Sequence, residues 1–73
     1  MALPQAMISI TVNGEPAHVA APCSIAALLA DRGLIGKRVA VERNGAIVPR
    51  SRHAETEVVA ADRFEIVVAV GGG

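Results

Sequence analysis

Two Asn-Gly dipeptides divide the first two-thirds of this chain into short apolar segments. Asn13-Gly14 follows a run, residues 8–12, in which apolar and polar side chains strictly alternate. Asn44-Gly45 stands between a second alternating run and a short apolar one. Because both residues of such a dipeptide tolerate positive φ, it favours a two-residue hairpin turn. Two hairpins are therefore predicted, and the fold must contain an antiparallel sheet.

Between the hairpins the apolar period changes from two residues to three or four. Ile25, Leu28 and Leu29 fall on one face of a helix. Ser24 can cap the start of this helix, and Gly33 can end it in a left-handed conformation. A helix of two to three turns is not stable alone, so we expect it to lie across the sheet.

The final segment, residues 64–70, is apolar on both faces. We expect Phe64 and Ile66 to face the core, which places Val67 and Ala69 on the other side. An edge position suits such a strand poorly, so a central position beside the first strand is predicted.

This order of elements predicts a two-layer α+β domain. A hairpin, a helix, two short strands, a polar connector and a final strand make a β-grasp, or ubiquitin-like, roll. We expect a mixed sheet of four to five strands packed on one main helix. The predicted division is a loose N-terminal extension at 1–6, the β-grasp domain at 7–70 and a flexible glycine tail at 71–73. Met7 is an alternative start.

Composition argues against several classes of function. Seven basic residues balance seven acidic ones, so no net field attracts nucleic acid or anionic membranes. Phe64 is the sole aromatic residue, which disfavours stacking on single-stranded nucleic acid. The longest helical apolar run, 25–30, is too short to cross a bilayer, and the N-terminus lacks a signal-peptide pattern. We expect a cytoplasmic monomer that binds neither nucleic acid nor membrane.

The remaining reactive side chains are few and scattered. Cys23 could act as a redox or persulfide relay, because the adjacent helix start could lower the pKa of its thiol. Alternatively, it is a packing residue, and the lack of a second cysteine favours this second role. His18, His53 and Cys23 do not have the spacing of zinc ligand pairs, so no metal site is predicted. Both histidines are expected at the surface.

The basic side chains do not single out a site either. Four arginines could form a basic patch, but interspersed glutamates favour an ordinary mixed surface. No nucleophile and base can be paired, which argues against an enzyme. The arginines concerned are Arg38, Arg43, Arg50 and Arg52.

The last three residues, Gly71, Gly72 and Gly73, directly follow the final strand. An arm without Cβ atoms can enter a narrow channel in another protein. Its terminal carboxylate, on Gly73, is ionised at neutral pH and becomes electrophilic only when activated, for example as an adenylate. The alternative is a frayed terminus without function. No polar spacer separates the predicted strand from the glycines, and the predicted fold is a β-grasp. Both features favour a terminal carboxylate that is held out for another protein to bind.

Four stretches carry a resemblance that covers nearly the whole chain from Met7. They are ITVNGEP, SIAALLADRGL, VAVERNGAIVPRS and DRFEIVVAVGGG. In these stretches the chain resembles the ThiS family, the bacterial sulfur carriers of thiamine biosynthesis. One departure is VAADRF, where the family often has DGD; the glycine is missing here.

The resemblance implies a carrier without a bound cofactor. An E1-like adenylyltransferase (ThiF type) would adenylate the carboxylate of Gly73, and sulfur would replace the adenylate. The resulting thiocarboxylate would be used by a thiazole synthase (ThiG type). Gly72 would supply the second glycine of the motif, and Gly71 only flexibility.

Alternative functions remain open at this point. A terminal Gly-Gly also suits the small subunit of molybdopterin synthase or another sulfur carrier. From a different class, the domain could be a ubiquitin-like modifier or an interaction module. Val67, Ala69 and Val70 are candidates for partner docking, because an apolar patch beside the tail would suit an activating enzyme; alternatively, neighbouring strands or loops shield them.

Overall fold

A computed structural model describes residues 6–69 of the chain. Within this range there are one α-helix, one short 3₁₀ turn and five strands. The elements in chain order are β1 (Ala6–Val12), β2 (Glu15–Ala21), α1 (Ile25–Asp31), β3 (Val39–Arg43), β4 (Ala46–Val48), the 3₁₀ turn (Arg50–Arg52) and β5 (Arg63–Val68). In the described part of the chain, no helix is long and apolar enough to span a bilayer.

The strands form one mixed sheet in the order β2-β1-β5-β3-β4. Strand β5 is central, parallel to β1 and antiparallel to β3. The predicted β-grasp and the central position of the last strand are therefore confirmed. Strand β1 begins at Ala6, opposite Ala21, one residue inside the predicted extension. The predictions for Val70 and for the tail at 71–73 lie outside the described residues.

The core lies between one face of the sheet and α1. The predicted alternation holds, because Ile10 and Val12 are buried whereas Ser9 is exposed. Phe64 and Ile66 also face the core as predicted. The buried apolar side chains are Ile10, Val12, Val19, Ile25, Leu28, Leu29, Val41, Val58, Phe64 and Ile66.

The helix ends as its sequence predicts. Ser24 Oγ accepts a hydrogen bond from the Ala27 N–H at 3.0 Å, which satisfies a donor of the first turn. At the other end, Gly33 takes φ of 73°. The Leu34 N–H then reaches back to the carbonyl of Leu29 at 2.9 Å, the Schellman arrangement. This bond turns Leu34 towards the core.

His53 is buried, so the prediction that both histidines lie at the surface is wrong for this one. The 3₁₀ turn after Pro49 folds the connector against the start of α1, where the Ala26 N–H donates to the His53 carbonyl at 2.9 Å. His53 Nε2 lies 3.0 Å from the carbonyl oxygen of Val48. His18 is exposed, as predicted.

Cys23 is half-buried and packs against the core. Its thiol donates to the carbonyl of Ser24 at 3.4 Å. Burial raises the pKa of the Cys23 thiol, and the negative charge of Asp31 raises that pKa further. The expectation of a lowered pKa is therefore wrong, because desolvation outweighs the adjacent helix start. A raised pKa reduces the thiolate fraction, which favours a packing role.

The loop before β5 contains a strained alanine. Ala61 has φ of 71°, a conformation that costs a residue with a Cβ about 1–2 kcal/mol. Its N–H donates to the carbonyl of Ser9 at 2.8 Å, which fixes the loop to β1. This is the segment where the sequence lacks the glycine of the DGD pattern.

We therefore expect Ala61→Gly to stabilise the protein. Relief of strain should exceed the entropy that glycine adds to the unfolded chain, for a net gain of about 0.5–1 kcal/mol. Thermal unfolding should show a midpoint about 3–6 °C higher. Ala60→Gly is the matched control, because Ala60 is exposed in the same loop without a positive φ; it should lower stability slightly. Equal effects of the two changes would contradict the strain at Ala61.

Candidate functional site

The candidate site is the C-terminal end of β5, from which the glycine tail continues. The backbone groups of β5 point alternately to its two neighbours. On the β3 side, the Ala69 N–H donates to the carbonyl of Arg38 at 2.8 Å. On the β1 side, the Asn13 N–H donates to the carbonyl of Phe64 at 2.8 Å. The main chain is thus held from both sides as it approaches the tail.

The side chain of Asn13 adds a second pair of bonds on the β1 side. Its Oδ1 accepts from the Ile66 N–H at 2.7 Å, and its Nδ2 donates to the Ile66 carbonyl at 3.1 Å. The side-chain amide of Asn13 thus forms the two hydrogen bonds that one more peptide unit of β1 would form. The main chain itself has already turned away at this point. Asn13 also has φ of 52° and Gly14 has φ of 80°, as the predicted turn requires.

Asn44, in the second Asn-Gly turn, holds β5 in a similar way from the β3 side. Its φ is 51°, and its Oδ1 accepts from the Arg63 N–H at 2.9 Å. Its Nδ2 donates to Asp62 Oδ1 at 3.1 Å. Each hairpin turn therefore contributes one amide side chain to the last strand. We call Asn13 and Asn44 the amide clamp.

Asp62 connects the loop before β5 to the second hairpin. It is buried, and its Oδ2 accepts from Arg43 Nε at 2.9 Å and from the Val59 N–H at 2.9 Å. Arg43 is therefore paired, and Arg52 lies 3.4 Å from Glu55 in an exposed pair. Two of the four arginines considered for a basic patch thus face carboxylates, which favours the mixed surface.

Beyond Ile66, strand β5 extends past its β1 neighbour. The β3 side continues, with Val68 opposite Val39 and Ala69 bonded to Arg38. On the other side β1 has ended at Val12. By the alternation of the strand, the N–H and C=O of Val68 point to the side on which β1 has ended. Within residues 6–69, neither group has a hydrogen-bond partner. Gly71, Gly72 and Gly73 follow outside the described range.

The sheet face opposite α1 carries an apolar patch next to this exit. Val67 is 63% exposed and Ile47 is 77% exposed, and Ala69 is exposed as well. Ala40, exposed and directly opposite Val67, completes what we call the open-face patch (Ala40, Ile47, Val67 and Ala69). Of the two alternatives that the sequence left open, the exposure of Val67 and Ala69 agrees with an exposed patch and not with shielding by neighbouring strands or loops. Val70 lies outside the described residues.

Two carboxylates lie beside this patch. Glu42 of β3 is directly opposite Glu65 of β5 on the same face, and both are exposed. Like charges in opposed positions destabilise a sheet. By the alternation of the same two strands, the exposed side chains of Arg38 and Arg63 also lie on this face, so it combines apolar area with two charges of each sign.

The described residues show no assembled reaction centre of their own. Among residues 6–69, no group of three or more His, Cys, Asp or Glu side chains could hold a metal ion. Sequence reasoning missed the amide clamp and Asp62; the repeated Asn-Gly dipeptides were the available signal for the first.

A sequence model of the ThiS family matches residues 10–73. The crystal structure of the thiamine biosynthesis protein (ThiS) from Geobacter metallireducens matches with a TM-score of 0.77 and 32% sequence identity, over 90% of this chain and 100% of that one. The similarity therefore extends over nearly all of both chains.

Two further relatives differ in how much of their length is matched. A thiazole synthase from Paramagnetospirillum magneticum is 41% identical over 66 residues, 90% of this chain but 20% of that protein. The uncharacterized protein ycf40 of Pyropia yezoensis is 38% identical over 66 residues, 90% of this chain and 93% of that protein. The chain thus spans about a fifth of the length of the thiazole synthases that it matches.

Proposed function

This chain belongs to the ThiS family, and from that premise we propose that it is the sulfur carrier of thiazole formation in thiamine biosynthesis rather than an enzyme. The observation that carries the proposal is a central strand held on both sides as far as Ile66 and Ala69, after which the sequence continues with Val70 and three glycines. Such a body can present a terminal carboxylate to an enzyme at a defined place.

The proposed chemistry takes place at the carboxylate of Gly73. One of its oxygens attacks the α-phosphate of ATP, which releases pyrophosphate and leaves an acyl adenylate. Hydrosulfide then attacks the carbonyl carbon; a carbon–sulfur bond forms as the bond to AMP breaks. The product is a thiocarboxylate, and no electron is gained or lost. Because the first step consumes ATP, the proposed setting is the cytoplasm.

Two enzymes would act on the tail in succession. An E1-like adenylyltransferase (ThiF type) would carry out the activation, and a thiazole synthase (ThiG type) would accept the sulfur. Relatives named thiazole synthase contain a segment similar to this chain. This shared segment supports a thiazole synthase as the sulfur acceptor.

The short tail requires these enzymes to approach the body closely. Four residues, 70–73, follow Ala69. An extended chain spans at most about 3.5 Å per residue, so the carboxylate of Gly73 can lie no more than about 14 Å from Ala69. We propose that the activating enzyme docks on the open-face patch, which lies beside the exit of the tail.

Val67→Glu is expected to weaken this docking. A charge in the middle of the apolar patch must be desolvated when the enzyme binds. The Kd for the activating enzyme should rise at least about tenfold. Val59→Glu is the matched control, since Val59 is also exposed but lies in the loop before β5; its Kd should change less than about twofold. Equal effects would rule out docking at Val67.

The intact mass of the protein tests the proposed function. The chain is incubated with the E1-like enzyme of its host, ATP and sulfide. A mass gain equal to the exchange of one oxygen for sulfur, located at Gly73 by fragmentation, is expected. A ladder of larger conjugates would indicate a protein modifier instead, and an unchanged mass with an active enzyme would indicate an interaction module. Growth rescue of thiamine-requiring or molybdenum-cofactor-deficient strains separates thiazole formation from other sulfur pathways.

A further inference from the structure

The amide clamp consists of two asparagines that are each followed by glycine, in Asn13-Gly14 and Asn44-Gly45. This dipeptide has a reaction of its own. The main-chain nitrogen of the glycine can attack the side-chain carbonyl carbon of the asparagine before it, because glycine has no Cβ to hinder the approach. The residues that hold β5 in place are therefore also residues that can lose their side-chain amide spontaneously.

The attacking nitrogen is accessible in both turns. Within residues 6–69, the N–H groups of Gly14 and Gly45 donate to no acceptor. Apart from the residues next to it in the chain, nothing lies within 4 Å of the position that a Cβ would take on either glycine. Both asparagines are exposed as well. Water can therefore reach each turn, where it can take the proton of the glycine N–H and hydrolyse the product of the attack.

In the folded chain, the hydrogen bonds of Asn13 oppose this reaction. Attack makes the planar carbon Cγ tetrahedral, which moves Oδ1 and Nδ2 out of the plane in which they meet Ile66. The two bonds to Ile66, 2.7 Å and 3.1 Å long, must therefore open first. The nitrogen Nδ2 leaves as ammonia and needs a proton, whereas the Ile66 carbonyl beside it has none to donate. The clamp thus slows the loss of the amide that forms it.

The two amides of the clamp differ in what must open with them. Asn13 is bonded to Ile66, beyond which β5 has no partner on this side within residues 6–69. Opening of this strand end is therefore sufficient to free Asn13. Asn44 donates to Asp62, which is buried and paired with Arg43. Release of Asn44 thus requires the loop before β5 to open as well, and we expect Asn13 to react first.

We propose that Asn13 is a site of spontaneous deamidation, which the clamp slows and which releases the end of β5 once it has occurred. The Gly14 nitrogen forms a bond to Cγ of Asn13 as the bond from Cγ to Nδ2 breaks, so a succinimide remains and ammonia leaves. Water then opens the ring at either of its two carbonyls, which gives aspartate or isoaspartate. The sum of these steps is the hydrolysis of an amide, and no electron is gained or lost.

Either product removes the donor of the Asn13 clamp. Nδ2 donates to the Ile66 carbonyl, whereas a carboxylate oxygen in its place is a second acceptor and repels that carbonyl. Isoaspartate also lengthens the main chain of the turn by one methylene and shortens the arm of the free carboxylate, which takes it away from the Ile66 N–H. Beyond Phe64, strand β5 would then be held by β3 alone.

Mass-spectrometric peptide mapping of the full-length chain, incubated in mildly alkaline buffer, tests the proposal. In urea, which removes the fold, Asn13 and Asn44 should lose their amides at rates within about twofold of each other, since glycine follows both. In buffer alone, Asn13 should react at least about tenfold more slowly than in urea. Asn44 is the matched control in the same chain and should react more slowly still. The proposal is overturned if Asn13 reacts as fast in buffer as in urea, or if Asn44 reacts first.

The release of β5 is measured on the deamidated form, which anion exchange separates because it carries one more negative charge. Hydrogen exchange of the Ile66 N–H should be at least about tenfold faster than in the intact chain, while circular dichroism shows that the domain stays folded. Asn13→Ala removes both bonds to Ile66 without adding a charge, and it should show the same increase. Unchanged exchange in the deamidated form would contradict the release.

Sulfur loading connects this reaction with the proposed function, on which this last step rests. The deamidated form should gain sulfur at least about tenfold more slowly than the intact chain, because the strand that carries the tail is less well positioned. Equal rates for the two forms would overturn this step. Failure of the intact chain to gain sulfur would overturn the proposed function instead, whereas the peptide map and the hydrogen exchange are measured on the carrier alone.

Discussion

A single alanine added after Gly73 is expected to abolish sulfur loading. The carboxylate would then lie one residue further from the body, a shift of about 3.5 Å along an extended chain. Misplacement of a reacting group by about 1 Å can cost a hundredfold in rate, and the added Cβ must also fit a channel suited to glycine. Intact mass after incubation with the activating enzyme, ATP and sulfide should show a loss of at least about a hundredfold.

Two further variants separate the length of the tail from its composition. Deletion of Gly73 leaves Gly71-Gly72 as a terminal glycine pair but brings the carboxylate closer to the body, and it should also abolish loading. Gly71→Ala keeps both the length and the final pair, so loading should stay within about fivefold. Loading that survived both the added alanine and the deletion would exclude activation at Gly73.

The second large effect is expected at Asp62. Asp62→Ala removes the acceptor for Arg43, Asn44 and the Val59 N–H. Each donor left without a partner costs about 1–3 kcal/mol when it stays buried. Arg43 is 29% exposed and can recover part of its hydration, so we expect a total loss of about 3 kcal/mol in the free energy of unfolding. Urea denaturation followed by circular dichroism measures it.

Glu55→Ala serves as the control for Asp62→Ala. It removes the exposed pair with Arg52, which should cost less than about 0.5 kcal/mol. Since a domain of this size has limited stability, Asp62→Asn is a milder variant that keeps the shape and one acceptor oxygen. A loss below about 1 kcal/mol for Asp62→Ala would show that the loop and the second hairpin are held together by other contacts.

Local chemistry was sufficient to predict most of the fold. The Asn-Gly turns, the cap at Ser24 and the stop at Gly33 depend on neighbouring residues, and each was confirmed. The central position of β5 followed from apolar residues on both of its faces. For the site, the exposure of Val67 and Ala69 was one of two alternatives that the sequence left open, and the role of Gly73 stays a prediction.

The features that sequence reasoning missed are contacts between distant parts of the chain. Asn13 bonds Ile66, 53 residues away, and Arg43 meets Asp62 across 19 residues. Periodicity reports only which face a side chain occupies, so it cannot identify such partners. His53 was misplaced for the same reason: a polar stretch of sequence indicates a surface connector, but the 3₁₀ turn carries this one residue inwards.

The amide clamp gives the tail a fixed origin. A slip of β5 by one residue would reverse its two faces and move the terminal carboxylate by about 3.3 Å. Asn13 and Asn44 oppose that slip from both neighbours, at Ile66 and at Arg63. The distance that the tail can span is therefore counted from a fixed point in the body of the domain. The two enzymes proposed to act on the tail would then find the same atom at the same distance.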